Sequence, residues 1–523
     1  MATPAAPPEE GEKKRLRDLA KEVNKRLLAA ENDLSRHKSR ITDCYRFALP
    51  WRHGFDQNEP KDQLDDLFDS TAMTVLEDFA ADMLNTFTPS KAAWVSVTPV
   101  ETFRQPDLAT MKIDLERHQS VVFSEMARSN LYQALQEAYL DLGPGTMALC
   151  IQDRGPSRPI HCEAIPITEL VIERGPFGMV NGRFRKRPEM SGEEVRATWP
   201  RASLTEQQKR AGKLKVVEAL WRDWSDIGNE TWKYTVVCGS DVVFERAEKG
   251  RGACAIVVAR WSKDSTTAWG IGPTYRSLPD IKTLNHIKYL ELKRLEYIVD
   301  PVTSYEDDGV MNLDNGVQPG DWLPRATGTE PPVPVESEAR FDISSLKADE
   351  LTSSVRRAHY QDRPQQLGRT PPSATQWADE AAERARRMGT PATNLVIELQ
   401  YPIFERFAWL LQKRGRLPKV EYNGKTVALQ PISPLLRAQE QEEVVRLDRF
   451  VELLSARFGP DVVTAVVKVL PYARRLASRL GVDESLINTE QELQAAIERF
   501  APVLGGGAGG AGGGAPTMPG APQ

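Results

Sequence analysis

Cysteine is scarce in this chain. Cys44, Cys150, Cys162, Cys238 and Cys254 are its five among 523 residues, and no two form a C-x-x-C pair. Reduced thiols in a cytosolic compartment are therefore expected. Long apolar runs are missing too: none approaches the roughly 18 residues of a membrane span. The opening "MATPAAPPEEGEKKR" lacks the apolar core of a signal peptide. The six histidines include no i,i+4 pair, which excludes an H-E-x-x-H metal site. There is no G-x-S-x-G. Neither sign of charge dominates. The net charge of −5 means the chain as a whole does not bind polyanions. Any contact with nucleic acid must use a local patch or a lined channel.

Three stretches imitate chemical motifs. "NGKT" at 423–426 resembles the end of a phosphate-binding loop, but Lys419 stands where the first glycine belongs, and the flanks read as a hairpin. "DDLFD" at 65–69 would place Asp65 and Asp69 one helical turn apart, as in carboxylate pairs that bridge divalent cations. No second acidic cluster faces it, and acids before a helix start are favourable on dipole grounds alone. "NET" at 229–231 fits a glycosylation pattern without any sign of a secretory route. So little chemistry in so long a chain favours an assembly or structural protein.

What is present is organisation. Residues 1–11 are rich in Pro and Ala and are expected to be disordered; 12–47 read as a helix with excess Lys and Arg. Ala72, Val75, Leu76, Phe79, Met83 and Phe87 recur at three- and four-residue steps, predicting a helix that Ser70 or Thr71 can cap and Pro89 ends. Another helix is expected over about 106–140. Short β-type runs separated by turn residues then predict one antiparallel sheet domain over 145–262, with a short helix near 191–211.

"GIGPTYRSLPDIKTLNHIKYLELKRLEYIVDP" follows at 270–301. Pro273 suits a helix first turn and Pro301 forbids continuation. About 26 residues would span about 40 Å. Leu278, Ile281, Leu284, Leu292, Leu295, Ile298 and Val299 fill about half the circumference, enough to pack on two neighbours at once. Lys282, His286, Lys293 and Tyr297 occupy the opposite, wet face. Residues 302–341 read as a small protruding β insert or long loop. Helical pattern resumes at about 343–362, is broken by "RPQQLGRTPPSAT", and returns over about 373–414. "VEYNGKTVALQP" predicts a hairpin turning at Asn423-Gly424. Residues 434–500 read as helical, and 505–523 as a disordered Gly/Ala tail.

In order and spacing, the pieces "CYRFALPWR" (44–52), "LFDSTAMTVLEDFAADMLNTFTPSKAAWVSVTP" (67–99), "AYLDLGPGTMAL" (138–149), "GMVNGRFRKRPEMS" (178–191), "GIGPTYRSLPDIKTLN" (270–285), "DPVTSYEDDG" (300–309), "VQPGDW" (317–322) and "NLVIELQYPIFERFAWLLQKRGRLP" (394–418) resemble the portal proteins, or head-to-tail connectors, of short-tailed bacteriophages. The likeness covers about 15–500. It implies an α+β fold with four named parts, assembled as a homo-oligomeric ring, usually of twelve copies, at one capsid vertex of the virion after assembly in the host cytoplasm. Double-stranded DNA would pass through the channel during packaging and ejection. The implied protein partners are the major capsid protein, a scaffolding protein, the terminase packaging motor and a tail adaptor. No enzyme activity, cofactor, metal or membrane is implied.

Mapped on this chain, the resemblance makes 12–270 the wing, 271–301 the first stem helix, 302–341 the clip and 342–363 the second stem helix. It makes 364–374 the channel loop, 375–433 a wing return helix and hairpin, and 434–504 the crown. Glu306, Asp307, Asp308 and Trp322 would form the clip's docking surface. In the channel loop Pro364, Pro371 and Pro372 deny a continuous helix. Gln365, Gln366, Arg369 and Thr370 would offer hydrogen bonds and one positive charge to DNA, with Leu367 for apolar contact and Gly368 for backbone freedom. Two other readings remain: a tail adaptor ring component, or a metal-dependent enzyme built on Asp65 and Asp69.

Overall fold

The computed structural model of the chain describes residues 10–52, 54–55, 66–99, 105–155, 157–225, 230–307, 317–330, 341–361, 387–420, 427–432, 449–457 and 472. Two compact units divide it at Pro434 and Leu435. The second contributes a helical stretch at 449–457 to the described residues.

A 39-residue helix, α1 (Glu10–Ala48), opens the fold and buries Val23, Leu34, Ile41 and Tyr45 along one side. Helix α2 (Thr71–Phe87) buries Ala72, Val75, Leu76, Phe79, Met83 and Phe87, the set its periodicity predicts. Its start differs from expectation. Ser70 makes no side-chain cap, and the Asp69 carboxylate instead accepts from Thr71 N at 3.1 Å and Thr71 Oγ1 at 3.0 Å.

The helix expected over 106–140 is two, α3 (Gln105–Arg128) and α4 (Leu131–Tyr139). Asn130 accounts for the break. Its amide donates to Cys162 O at 2.7 Å and accepts from Cys162 N at 2.8 Å. An Asn that pairs with backbone like another peptide unit competes with helix continuation.

The β region is two sheets, not one. Strands β2 (Thr146–Gln152), β3 (His161–Ile165) and β9 (Ile256–Arg260) form an antiparallel sheet in the order β3-β2-β9. Strands β4 (Leu170–Arg174), β5 (Val180–Met190), β6 (Leu214–Asp223), β7 (Thr231–Cys238) and β8 (Asp241–Lys249) form an antiparallel meander. Helices α5 (Gly192–Thr198) and α6 (Glu206–Arg210) connect β5 to β6, each with a capping box, at Ser191/Glu194 and Thr205/Gln208.

The "GRFRKR" stretch lies in β5, where alternation sends Phe184 to one face and Arg183, Arg185 and Arg187 to the other. Arg185 binds Glu163 at 2.6 Å and Glu169 at 3.0 Å; Arg187 binds the fully buried Glu218 at 2.6 Å. Burial alone would raise the Glu163 carboxyl, but the two guanidiniums hold it down to about 2. These charges tolerate burial because each is paired.

Helix α7 (Pro273–Val299) follows, then the parallel pair β10 (Thr303–Asp307) and β11 (Trp322–Ala326), then α8 (Phe341–Ala358). After the undescribed 362–386 come α9 (Gly389–Leu395), a π-helical turn Val396–Gln400 and α10 (Tyr401–Lys413). Arg406 on α10 is 2% exposed and donates to Ile151 O, Gly252 O and Ala253 O, tying the helix to the strands beneath it.

Strand β12 (Val427–Pro431) pairs antiparallel with β1 (Val95–Pro99), so the second half of the expected hairpin belongs to a partner early in the chain. The turn expected at Asn423-Gly424 lies outside the described residues. Among the described residues, no helix is long and apolar enough to cross a membrane.

Candidate assembly interface

Helix α7 starts where two glycine-rich segments cross. Gly145 sits at φ +134°, a conformation open to glycine, and a methyl group there would strike the carbonyl of Gly270. A methyl at Gly272 would strike the carbonyl oxygens of Leu142 and Gly143. The close approach lets Gly272 N bond Pro144 O at 3.1 Å, Thr274 N bond Gly143 O at 3.0 Å and Trp261 N bond Gly145 O at 2.9 Å. "GPG" and "GIG" are thus two halves of one joint that fixes where α7 leaves the body.

Helix α8 packs back along α7. Asp280 Oδ2 accepts from Ser354 Oγ at 2.8 Å, and Thr274 Oγ1 meets His359 Nε2 at 2.8 Å, so the start of α7 lies beside the end of α8 and the pair is antiparallel. His359 is fully buried, with Nδ1 2.8 Å from Val355 O. Burial pushes its imidazole down to about 4, with the Val355 carbonyl only partly opposing. With Nδ1 donating to that carbonyl, Nε2 is left to accept from the Thr274 hydroxyl.

A segment before α2 closes over the same helix. Asn285 Oδ1 accepts from Phe68 N at 2.8 Å and Asp69 N at 3.2 Å, its Nδ2 donates to Asp66 O at 3.2 Å, and the Phe68 ring lies 4.9 Å from Tyr289. Sequence reasoning missed Asn285. Its signal was an amide within the apolar period of a helix. The clasp holds 66–70 outside any α-helix, so the helical turn expected to align Asp65 and Asp69 is not there. Asp69 is engaged with Thr71, and Asp65 lies outside the described residues.

The apolar arc then divides. Its proximal members are inside: Leu278 is 5% exposed, Ile281 3% and Leu284 1%. Its distal members are not: Leu292, Leu295, Ile298 and Val299 are 47%, 52%, 63% and 76% exposed, with Leu290 beside them. Leu346 on α8 is exposed as well. Among the described residues, four of the seven members of the predicted arc are thus left largely uncovered.

The predicted wet face divides too. Lys282 donates to Asp43 Oδ2 on α1 at 2.6 Å, and Tyr297 OH donates to Val317 O at 2.9 Å, so both have partners within the chain. His286 and Lys293 are exposed.

Beyond α7, Glu306 pairs with Arg325 at 3.1 Å across the β10–β11 ladder. Asp307 is exposed, and Trp322 is 67% exposed, 6.5 Å from Tyr305. Asp308 and the loop residues Gln365, Gln366, Leu367, Gly368, Arg369 and Thr370 lie outside the described residues.

No curated protein matches the sequence. Solved chains from gene transfer agent particles are similar to it. One, titled "Virion of native gene transfer agent (GTA) particle", is 11% identical over 80% of this chain and 95% of that one, with a TM-score of 0.36. A second, "Neck of empty GTA particle computed with C6 symmetry", is 12% identical over 79% and 89%, with a TM-score of 0.31. A family model described as "Bacteriophage head to tail connecting protein" matches residues 20–487, most of the sequence. With that span covering both the glycine joint and the half-exposed helix above it, the chain belongs to the bacteriophage head-to-tail connecting protein family.

Proposed function

We propose that this head-to-tail connector is the portal itself. Copies of it, about twelve, close into a ring whose channel carries double-stranded DNA during packaging and ejection. The observation that supports this most is the division of α7. A helix whose apolar arc is buried at its base and bare over its last third needs a further partner. A repeated copy supplies one to every subunit without leaving an unpaired end.

In this reading residues 12–270 and 375–433 are the wing, α7 and α8 the stem, 302–341 the clip and 434–504 the crown. The loop at 364–374 carries Arg369 into the channel. One guanidinium per copy gives a thin positive collar in a net acidic protein, which holds phosphates weakly and lets DNA slide. The clip presents Asp307, Asp308 and Trp322 to the packaging motor and later to the tail adaptor, while Glu306 is held by Arg325. The wing's outer surface meets the major capsid protein, with scaffolding protein present during assembly. The tail adaptor reading has less support, because an adaptor has no need of an insert between two long antiparallel helices. The metal-enzyme reading has less support, because Asp69 is engaged with Thr71 and the described residues 66–70 form no α-helical turn.

Negatively stained images of the purified full-length chain test the proposal. Rings with a central hole are expected. Particles of one or two copies at every concentration would refute it.

A further inference from the structure

Two non-glycine residues among those described adopt a positive φ, Phe177 at 58° and Tyr360 at 60°. Such a conformation costs an ordinary side chain on the order of 1 kcal/mol. Tyr360 has compensation: it is half-buried and packs on Trp261 at 5.6 Å. Phe177 has none among the described residues. It stands at the tip of the β4–β5 connection, between Pro176 and Gly178, and is 93% exposed. Met179 next to it is 49% exposed.

The tip beneath the ring is fixed. Gly175 N donates to Met179 O at 2.8 Å and Met179 N to Pro176 O at 3.1 Å. Gly178 O accepts from Arg260 Nη2 at 2.8 Å. Arg260 is 2% exposed and is itself held by Glu398, through Nη2 at 2.5 Å and Nε at 3.2 Å, and by Ala268 O. Glu398 lies in the π-helical turn, which is otherwise a costly irregularity. Thus a buried guanidinium braces the tip against the segment that leads directly into α7. The aromatic ring on that brace gains neither burial nor backbone comfort. Its conformation and exposure are those of a side chain whose contacts lie outside the chain.

We propose that Phe177 is an anchor of the contact between neighbouring copies, covered by the next subunit. The inference rests on the ring reading above and adds to it a specific residue far in sequence from the stem. The bare distal face of α7 and Leu346, which already call for a second copy, make that copy the occupant rather than an unrelated protein. A Phe buries about 150–250 Å², whereas a stable interface needs about 800 Å² per partner. The tip cannot hold a separate protein alone, but it can serve as one fixed anchor within a larger contact. The bare distal face of α7 and Leu346 supply such a contact on this chain.

The test uses the full chain as wild type, Phe177→Gly, Phe177→Leu and Leu295→Asp. Assembly is followed by mass photometry against protein concentration, and monomer stability by thermal melts under dissociating conditions. Glycine accepts the positive φ, so the Phe177→Gly monomer should melt at the same or a higher temperature. Its half-assembly concentration should rise about tenfold or more, as for loss of an interface anchor. Phe177→Leu should recover most of that loss. Unchanged assembly of Phe177→Gly, with Leu295→Asp still blocking rings, would overturn the anchor and leave the ring reading intact. A lower monomer melting temperature for Phe177→Gly would make the ring structural and overturn it too. Normal rings that fail only to join another virion protein would assign the tip to that protein instead. A wild type that never assembles would end both claims.

Discussion

His359 shows how single residues set the base of α7. It is neutral inside the fold at about 4 and would titrate near 6.5 once unfolded. Between those values the unfolded chain binds one more proton than the folded one. Stability therefore rises with pH there and is lost as pH falls, by about 1.4 kcal/mol per unit from this group. Melting of wild type and His359→Asn across pH 4 to 7 should show the steeper slope in wild type; equal slopes would remove the assignment. Thr274→Val leaves His359 Nε2 without its donor and should cost about 1–3 kcal/mol at pH 7 by denaturant unfolding. Gly145→Ala adds backbone collision to a disfavoured φ. It should abolish the soluble folded chain, judged by expression and circular dichroism, more severely than the Thr274 change.

At the scale of elements, the two halves of α7 should respond differently to the same insult. Leu284→Asp buries an unpaired charge and should destabilise the monomer by about 3 kcal/mol or more. Leu295→Asp changes a residue already half exposed. It should leave the monomer melt within about 0.5 kcal/mol of wild type while preventing assembly, read by native mass spectrometry. Equal effects of both on the monomer would mean that α7 has no outer partner.

The sequence makes this helix legible up to a point. Pro273 and Pro301 bracket it, and its period gives the arc. How far along the arc partners from the same chain extend is a tertiary fact that periodicity does not hold. The same limit explains the other departures. The core of α2 was readable because helical period is local. The pairing of β12 with β1 and the division of the strands into two sheets were not, because strand pairing joins residues distant in sequence. Asn130 and Asn285 look like ordinary polar residues until the backbone groups they bind are brought beside them. Phe177 was invisible for a related reason: "GPFGM" reads as a turn, and nothing in it announces a positive φ at the aromatic.

At the scale of the whole molecule, the bare apolar surfaces are what the proposed ring would cover. In the proposed reading, a net charge of −5 and a core held by paired internal charges such as Arg185–Glu163 and Arg260–Glu398 suit a durable ring around an acidic polymer. In the proposed reading the insert between α7 and α8 is the docking clip, so Trp322→Ala should leave rings intact and weaken adaptor docking about tenfold or more in a pull-down titration. Unchanged docking would assign that function elsewhere. The most direct test of the central claim is a cryo-electron microscopy reconstruction of the assembled full-length chain. The account predicts a closed ring with Leu292, Leu295 and Ile298 within about 4 Å of side chains from a neighbouring copy. A ring in which these residues face open solvent, or a chain that forms no ring, would contradict it.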